Sequence, residues 1–410
     1  MNGAAVREVA VTGIGLVTPA GIGTEATWAG LLAGTPTAAK DPDLAGLPVD
    51  FACRVPGYDA EALLGRRLTW RLDPFATMAL VAAREAVADA GLGAGDWEPS
   101  RVGVVLGIGC VSMTHYMAEF AKIATRQYDS VSPVLLPRCL PNMVAGEVAL
   151  DLKAHGPAFT VSTACASGTS ALGIARDLIR SGTCDIVITG GSESVRQTVP
   201  AVCFARMGAL SRRTDAPEAA SRPFDADRDG FVLGEGAGIL VLERPAHARG
   251  RGVRPRAYLS GYGATCDAHH FTSPHPEGRG AAEAMRAALA DAGMEPADID
   301  HVNAHGTGTP RNDIAESRAL TRVFRSPPPV TSLKGVTGHA IGGAGGIEAA
   351  GAVLSLQHQT IPPTANLDAL DPEIDLDVVA KAPRSAALRA VVSSSFGFGG
   401  QNAAVVITAA

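Results

Sequence analysis

The sequence predicts an α/β protein in which strands and helices alternate around a largely parallel sheet. Several runs rich in β-branched residues have the length of buried strands, and apolar helical stretches fall between them. The second part of the chain repeats the order of elements found in the first part. Such alternation is typical of parallel sheets, because two parallel neighbours need a long crossover connection between them.

In the first part of the chain, a predicted helix over 74–90 ends at Gly91, a common C-terminal stop. The predicted strands around it are REVAVTGIG near the start, RVGVVLGIG at 101–109, AFTVSTA at 158–164, CDIVITGG at 184–191 and GILVLE at 238–243.

The second part of the chain follows the segment RPAHARGRGVRPR. Its predicted elements are a strand (YLSGYGA), a helix (GAAEAMRAALADAG), the strands DHVNAHG and PVTSL, a long helix, and the final strands RAVVSSSFG and AAVVITA. In both parts a strand leads into reactive residues, an apolar helix and another strand, which indicates an internal duplication with halves at 1–255 and 256–410. The helices after Cys165 and Lys334 carry few charges, so we expect both to be buried between layers.

Composition limits the classes of protein that this chain can represent. Its 410 residues, 46% hydrophobic and 19% charged, indicate a globular protein with an ample core, and its net charge of −6 argues against non-specific nucleic-acid binding. The N-terminus lacks the pattern of a signal peptide and no apolar run reaches about 18 residues, so we expect a cytoplasmic protein without a membrane segment. Seven scattered cysteines without CxxC spacing, and the isolated CDAHH at 266–270, predict neither disulfides nor a metal site.

Cys165 lies at a predicted junction between a strand and a helix that opens at 166–169. The free N–H groups and the dipole at a helix N-terminus favour a thiolate, and they can receive the oxygen of a thioester intermediate. From location alone, a nucleophile and an ordinary buried cysteine are equally good interpretations.

Three glycine-rich segments in the second part carry the other candidate residues. His305 ends a predicted strand and is followed by Thr307 and Thr309, which could bind a carboxylate or a water. SLKGVTGHAIGGAGGIE supplies Lys334, His339 and Glu348, and it matches no phosphate-loop pattern. VSSSFGFGGQN, around Phe398, can form a mobile loop that offers backbone N–H groups.

Two arginine clusters could bind an acidic partner, although solvated surface arginines are the more common case. One cluster contains Arg66, Arg67 and Arg71, and the other contains Arg206, Arg212 and Arg213.

Taken together, STACASG, NAHGTGTP, LKGVTGHAIGGAGG and SFGFGG, in this order, resemble the elongating β-ketoacyl-[acyl-carrier-protein] synthases of the thiolase superfamily. The resemblance covers nearly the whole chain, including VTGIGLVTPAG and RPFDADRDGFVLGEGAG. It implies the thiolase-like five-layer αβαβα fold with duplicated halves. It also implies decarboxylative Claisen condensation with malonyl-acyl carrier protein, in fatty-acid or type II polyketide biosynthesis, without a bound cofactor.

The resemblance assigns roles to the residues that match the family motifs. Cys165 takes the acyl chain from the phosphopantetheine arm of the carrier protein, while His305 and His339 support decarboxylation as hydrogen-bond donors. The backbone N–H groups of Cys165 and Phe398 form the oxyanion hole, and Phe398 is also the gate. The remaining matches are Lys334 with Glu348 as an ion pair, Thr307 and Thr309 near the malonyl group, and Ile108 and Phe204 in the acyl pocket.

The chain departs from the family pattern at four positions. Gln401 replaces a threonine, Ser394 replaces an asparagine, and Cys110 and Cys203 stand beside the expected acyl pocket where glycine is frequent. These departures bear on the preferred acyl chain length.

Two alternatives remain open at the level of sequence. The chain could act as a homodimer or as a heterodimer with a chain-length factor, a homologue without the cysteine. It could also be a non-catalytic partner or scaffold of such a heterodimer, which the presence of Cys165 and both histidines argues against.

Overall fold

The computed structural model describes residues 8–93, 95–110 and 113–410. The strands are β1 (Val9–Thr18), β2 (Gly21–Ile22), β3 (Ala38–Lys40), β4 (Phe51–Cys53), β5 (Val102–Gly107), β6 (Ala158–Val161), β7 (Ile186–Ser194), β8 (Glu235–Glu243), β9 (Ala257–Cys266), β10 (His301–Asn303), β11 (Val330–Thr331), β12 (Thr360–Ile361), β13 (Arg384–Ser385), β14 (Ala390–Gly397) and β15 (Gln401–Ala409). The helices are α1 (Thr24–Ala33), α2 (Ala60–Leu64), α3 (Arg66–Thr69), α4 (Pro74–Asp89), α5 (Thr114–Ala124), α6 (Leu135–Cys139), α7 (Met143–Leu152), α8 (Ser167–Arg180), α9 (Thr198–Arg206), α10 (Pro245–Gly250), α11 (Arg279–Ala292), α12 (Pro310–Val323), α13 (Lys334–Thr337) and α14 (Ile341–His358).

The main sheet consists of two halves with the same topology. The first half has the strand order β6-β5-β7-β8-β1 and the second has the order β11-β10-β14-β15-β9. In each half the first three strands are parallel, and the last two run antiparallel to their neighbours. The halves meet where β1 pairs with β9. The internal duplication predicted from the sequence is therefore confirmed in the topology.

The expectation of a largely parallel sheet is wrong for the inner strands. Strand β8 runs antiparallel to both β7 and β1, and β15 runs antiparallel to both β14 and β9. The short turn at Phe398–Gly400 joins β14 directly to β15, and a hairpin connection necessarily reverses the chain direction. Only the pairs connected through crossover helices keep the parallel arrangement.

The helices and sheet halves stack in five layers. Helices α4 and α7 cover one face of the first sheet half, and α11 and α12 form the layer outside the second half. Between the halves lie α8, which packs on β5, β7 and β15, and α14, which packs on β7, β8, β14 and β15. The five-layer αβαβα fold is thereby confirmed, as is the expected burial of the helices that follow Cys165 and Lys334.

The two central helices approach each other closely at their first turns. A Cβ on Gly168 of α8 would lie 2.8 Å from the Gly346 nitrogen and 2.9 Å from the Gly342 oxygen of α14, closer than real side chains approach backbone. Glycines at this crossing therefore allow the N-termini of α8 and α14 to lie side by side. Because Cys165 and His339 immediately precede these N-termini, the same packing brings them together.

Candidate active site

A cavity of about 460 Å³ opens where the two halves meet. Cys165 comes from the first half, and His305 and His339 come from the second, and all three line this cavity. Their sulfur and ring-nitrogen atoms lie within 4.8 Å of one another, and all three residues are buried. The structure thus brings together the three residues that the sequence nominated for chemistry.

Cys165 stands in a sharp turn between β6 and α8. The preceding Ala164 has a φ of +50°, a conformation that costs a non-glycine residue about 1–3 kcal/mol and that clusters at functional sites. Ala166 caps the helix, and the backbone N–H of Phe398 donates a hydrogen bond to the Cys165 sulfur. The predicted position at a helix N-terminus is confirmed, with one of the two predicted oxyanion-hole N–H groups beside the sulfur.

The resting protonation state of Cys165 differs from the expectation of a favoured thiolate. Burial raises the pKa of the thiol to about 12, although the charge of Lys334 and the Phe398 N–H act in the opposite direction. Removing water disfavours the charged thiolate more than the nearby groups favour it. The thiol proton must therefore leave as the cysteine reacts, rather than beforehand.

His305 is held in place from both sides of its backbone. Its N–H and that of Gly306 donate to the two carboxylate oxygens of Glu316, each at 2.7 Å. Gly306 has a φ of +38°, and a Cβ there would lie 2.5 Å from the Ser332 side chain. This tight turn after β10 needs a glycine, and it directs the imidazole toward Cys165.

Lys334 sets the orientation of the His305 ring. Its ammonium donates to the His305 carbonyl oxygen at 2.6 Å, lies 3.4 Å from the ring Nδ1 and contacts the carboxylate of Glu348. An ammonium has only donors, so it favours the tautomer in which Nδ1 accepts and Nε2 carries the proton. The predicted ion pair between Lys334 and Glu348 is present, and it lies behind the histidine rather than on the cavity wall.

His339 occupies the break between α13 and α14. Its ring lies 5.3 Å from the His305 ring, edge to face, and 5.3 Å from the ring of Phe231. Both ring nitrogens are buried and have no hydrogen-bond partner among the described residues. A buried imidazole in this position is available to a substrate oxygen.

Both histidines are neutral at physiological pH. Burial lowers the pKa of His305 well below its ordinary value, and the charge of Lys334 acts in the same direction. Burial and Lys334 likewise lower the pKa of His339. Neutral rings with Nε2–H groups can donate hydrogen bonds to a developing negative charge. The positive charge of Lys334 also disfavours binding of a divalent metal ion between Cys165, His305 and His339.

The other predicted site residues divide into two groups. Phe204, Phe398, Thr307 and Thr309 line the cavity, and the two threonine hydroxyls are 2.9 Å apart. Ile108 is buried in the apolar layer beneath α4 and is absent from the cavity wall, although its carbonyl accepts a hydrogen bond from Ser167.

The arginine clusters lie outside the cavity. Arg66 and Arg67 are exposed on α3, whereas Arg71 forms a bidentate ion pair with the buried carboxylate of Glu147. In the second cluster, Arg206 ends α9 next to Met207, which lines the cavity.

Sequence reasoning missed Glu316 and the two aromatic rings that pack on the histidines. Burial raises the pKa of Glu316 to about 7, and its carboxylate also accepts a hydrogen bond from Ser394. The sequence did contain a signal for Glu316, because its spacing from Ala319 and Leu320 places it on the apolar face of α12. An acidic residue on a buried face needs a buried partner. Phe396 and Phe231 lie in SFGFGG and RPFDADRDGFVLGEGAG, two segments that carry the family resemblance, but nothing in these segments predicts that their rings pack on the histidines.

Comparison with known proteins identifies the family of this chain and agrees with its fold. The family pattern described as "Beta-ketoacyl synthase, N-terminal domain" matches residues 6–248, and "Beta-ketoacyl synthase, C-terminal domain" matches residues 256–368. A protein of Synechocystis sp. named 3-oxoacyl-[acyl-carrier-protein] synthase 2 is 39% identical over 97% of this chain and 96% of its own length. A protein of the same name from Staphylococcus aureus is 39% identical over 98% of both chains.

Solved structures show the same similarity. The ishigamide ketosynthase/chain length factor superposes with a TM-score of 0.92 at 36% identity, covering 98% of this chain and 99% of that one. A β-ketoacyl synthase from Burkholderia phymatum superposes with a TM-score of 0.92 at 34% identity, covering 98% of this chain and 99% of that one. A type II polyketide ketosynthase was solved with its acyl-carrier protein and bound to the hexaketide. It superposes with a TM-score of 0.91 at 31% identity, covering 98% of this chain and 100% of that one.

The duplicated five-layer fold and the buried cysteine–histidine–histidine cluster define the class of thiolase-like condensing enzymes. Within that class, this chain belongs to the β-ketoacyl synthase family. The resemblance predicted from the four motifs is therefore confirmed. Among the described residues, no helix combines the length and the apolar character needed to cross a membrane.

Proposed function

We propose that this chain catalyses decarboxylative Claisen condensation between an acyl group on Cys165 and malonyl-acyl carrier protein. The observation that carries this proposal is the cluster of one thiol and two neutral imidazoles in a single buried cavity. A thiol can hold an acyl group as a thioester, and two fixed donors can stabilise an enolate. Fatty-acid and type II polyketide synthesis both use this reaction.

The first half-reaction is acyl transfer. The Cys165 sulfur attacks the thioester carbonyl of the acyl carrier, a new carbon–sulfur bond forms, and the bond to the pantetheine sulfur breaks. The proton of the Cys165 thiol ends on the departing pantetheine thiol. During this step the carbonyl oxygen receives hydrogen bonds from the backbone N–H groups of Cys165 and Phe398.

The second half-reaction forms the carbon–carbon bond. The bond between the malonyl α-carbon and its carboxylate breaks, CO₂ leaves, and the electron pair forms an enolate whose oxygen accepts hydrogen bonds from His305 and His339. The α-carbon then attacks the acyl carbonyl on Cys165, the bond between this carbon and the sulfur breaks, and the cysteine leaves as a thiolate that takes one proton from water. Thr307 and Thr309 border the same cavity and would hold the malonyl group.

Variants of the cysteine and one histidine test this assignment. Cys165→Ala should abolish condensation but retain malonyl decarboxylation, because the enolate donors remain. His339→Ala should slow decarboxylation by roughly 10²-fold, the usual effect of losing one such donor. Equal residual condensation in the two variants would contradict these separate roles of the thiol and the imidazole. If a chain with both histidines and Cys165 intact carries out neither step, the scaffold alternative is correct.

We propose a dimer formed through the surface around β6. Among the described residues this edge strand pairs with β5 on one side only; α7 packs on it, α6 contacts α7 and α5 contacts α6, and all three helices expose large apolar side chains. An exposed edge next to apolar surface favours pairing with another chain. The exposed apolar residues of this β6 surface are Met117, Phe120, Ile123, Leu136, Leu150 and Phe159.

The mass of the particle in solution tests the dimer. Phe159→Lys combined with Leu150→Glu should convert a dimer into a monomer, whereas Leu370→Glu, a partly exposed apolar site in the second half, should not. The partner is a second copy of the chain or a chain-length factor. A wild-type chain that is monomeric alone and pairs only with a homologue lacking the cysteine would identify the heterodimer.

Arg66 and Arg67 are the carrier-protein contacts that we propose, with a weaker contribution from Arg71 because of its ion pair with Glu147. Reversing Arg66 and Arg67 to glutamate should weaken binding of the acidic carrier protein in a salt-dependent way. Unchanged affinity at low salt would remove this cluster from the interface.

A further inference from the structure

The cavity wall differs in character between its inner end and its opening. Around Cys165 the wall is apolar, with Cys110, Phe204 and Ile341. Exposed and half-exposed residues mark the opening, where Ser273 and Arg311 contribute polar groups. An acyl chain suits the apolar end, so a carrier arm that delivers it would pass through the polar opening.

Arg311 stands at this opening without a negatively charged partner. It lies in the first turn of α12, and one guanidinium N–H donates to the Ser273 hydroxyl at 2.9 Å. In the described part of the chain no carboxylate lies within ion-pair distance of it, whereas Arg318, further along the same helix, pairs with Glu277. The hydrogen bond to Ser273 fixes the arginine and leaves other N–H groups unused.

Among the described residues, two acidic side chains line the cavity, Asp229 and Asp267, and neither forms an ion pair with Arg311. Asp229 accepts a hydrogen bond from the Arg212 backbone N–H at 3.0 Å and lies 4.0 Å from the Arg213 guanidinium. The Asp267 carboxylate accepts hydrogen bonds from the His275 backbone N–H at 2.8 Å and from the Asn402 amide at 2.9 Å. It is buried, and its hydrogen bonds hold loops of the protein together. Arg311 therefore remains the cation that faces the opening.

We propose that Arg311, positioned by Ser273, binds the phosphodiester of the phosphopantetheine arm. This inference rests on the proposed function, because it assigns a contact to the carrier on which the substrates arrive. The planar guanidinium fork suits phosphate oxygens, and the N-terminal end of α12 adds a favourable dipole for an anion. The contact would anchor the arm at the opening while its thioester reaches Cys165.

Small thioesters that differ only in the phosphate test the proposal. The same acyl and malonyl groups are presented on pantetheine and on 4′-phosphopantetheine, and kcat/KM is measured for each. Wild-type protein should prefer the phosphorylated thioesters by roughly fivefold, as expected for a partly exposed charge-assisted contact. Arg311→Ala should remove this preference through a higher KM for the phosphorylated thioesters, and Arg311→Lys should restore part of it.

Arg318→Ala is the matched control, since it removes the same charge from the same helix away from the cavity. It should keep the preference of the wild type. If Arg311→Ala slows both kinds of thioester equally, or if the wild type shows no preference, the proposal is wrong. A wild type that turns over no thioester of either kind would instead contradict the proposed function, so the two failures are distinguishable.

Discussion

The ammonium of Lys334 donates to the backbone carbonyl oxygen of His305 at 2.6 Å and lies 3.4 Å from Nδ1 of the same ring. One side chain thus contacts both the backbone and the imidazole of a residue at the centre of the site. Because the ammonium cannot accept a hydrogen bond, this arrangement keeps the ring proton on Nε2. Lys334 is therefore a positioning residue that acts through His305.

Removing the Lys334 charge should affect both the His305 imidazole and the Cys165 thiol. In Lys334→Met we expect decarboxylation to slow by about 10- to 100-fold, the range seen when partners that orient histidines at metal sites are lost. Alkylation of Cys165 by iodoacetamide at pH 8 should also slow, because the Lys334 charge lowers the thiol pKa.

Two controls separate this effect from misfolding. Lys122→Met removes a half-buried lysine on α5 and should change neither rate. The double variant Lys334→Met with Glu348→Gln relieves the unpaired buried carboxylate, so it should fold at least as stably as the single variant without regaining decarboxylation. Full decarboxylation by the double variant would contradict the positioning role.

The pH dependence of decarboxylation tests the neutral histidines. Their pKa values are lowered, so the neutral form persists as the pH falls below the ordinary histidine value. Decarboxylation by Cys165→Ala should therefore stay flat between about pH 8 and pH 6. If each histidine had an ordinary pKa of about 6.5, its neutral fraction would fall roughly fourfold between pH 8 and pH 6. A fall of at least that size in the decarboxylation rate would refute the lowered pKa values.

The crossing of α8 and α14 should not accept a methyl group. Gly168→Ala forces a Cβ against the backbone of Gly346, so we expect a loss of about 1–3 kcal/mol in the free energy of unfolding. Gly146→Ala, on α7, is the control, because a Cβ there meets nothing within 4 Å. It should stabilise the protein by up to about 1 kcal/mol through helix propensity. Similar melting temperatures for the two variants would show that the crossing has room for a side chain.

Much of this site was predictable because its residues lie at junctions with a local signature. Cys165 follows a β-branched run and precedes a small-residue helix, and His305 follows a strand and precedes glycine. The duplicated order of elements likewise predicted halves that the strand topology bears out. The boundary at residues 255 and 256 stays a prediction.

What the sequence could not show depends on contacts between distant segments. The raised pKa of the Cys165 thiol follows from burial by several elements, and the contact of the His339 ring with Phe231 joins residues that are more than 100 positions apart in the chain. The reversal of β8 and β15 also escaped prediction, since strand direction depends on the connections. Ile108 has a buried environment away from the cavity wall, so its effect on chain length stays a prediction.

Intact-mass analysis of Cys165 is the most direct test of the central claim. The chain, alone and with its dimer partner, is exposed to a panel of acyl-carrier proteins charged with different acyl groups. We predict that the mass of the chain rises by that of at least one acyl group, that Cys165→Ala stays unmodified, and that malonyl-carrier protein then releases the acyl group as a 3-oxoacyl product. If Cys165 is never acylated under any of these conditions, the chain is not a condensing enzyme.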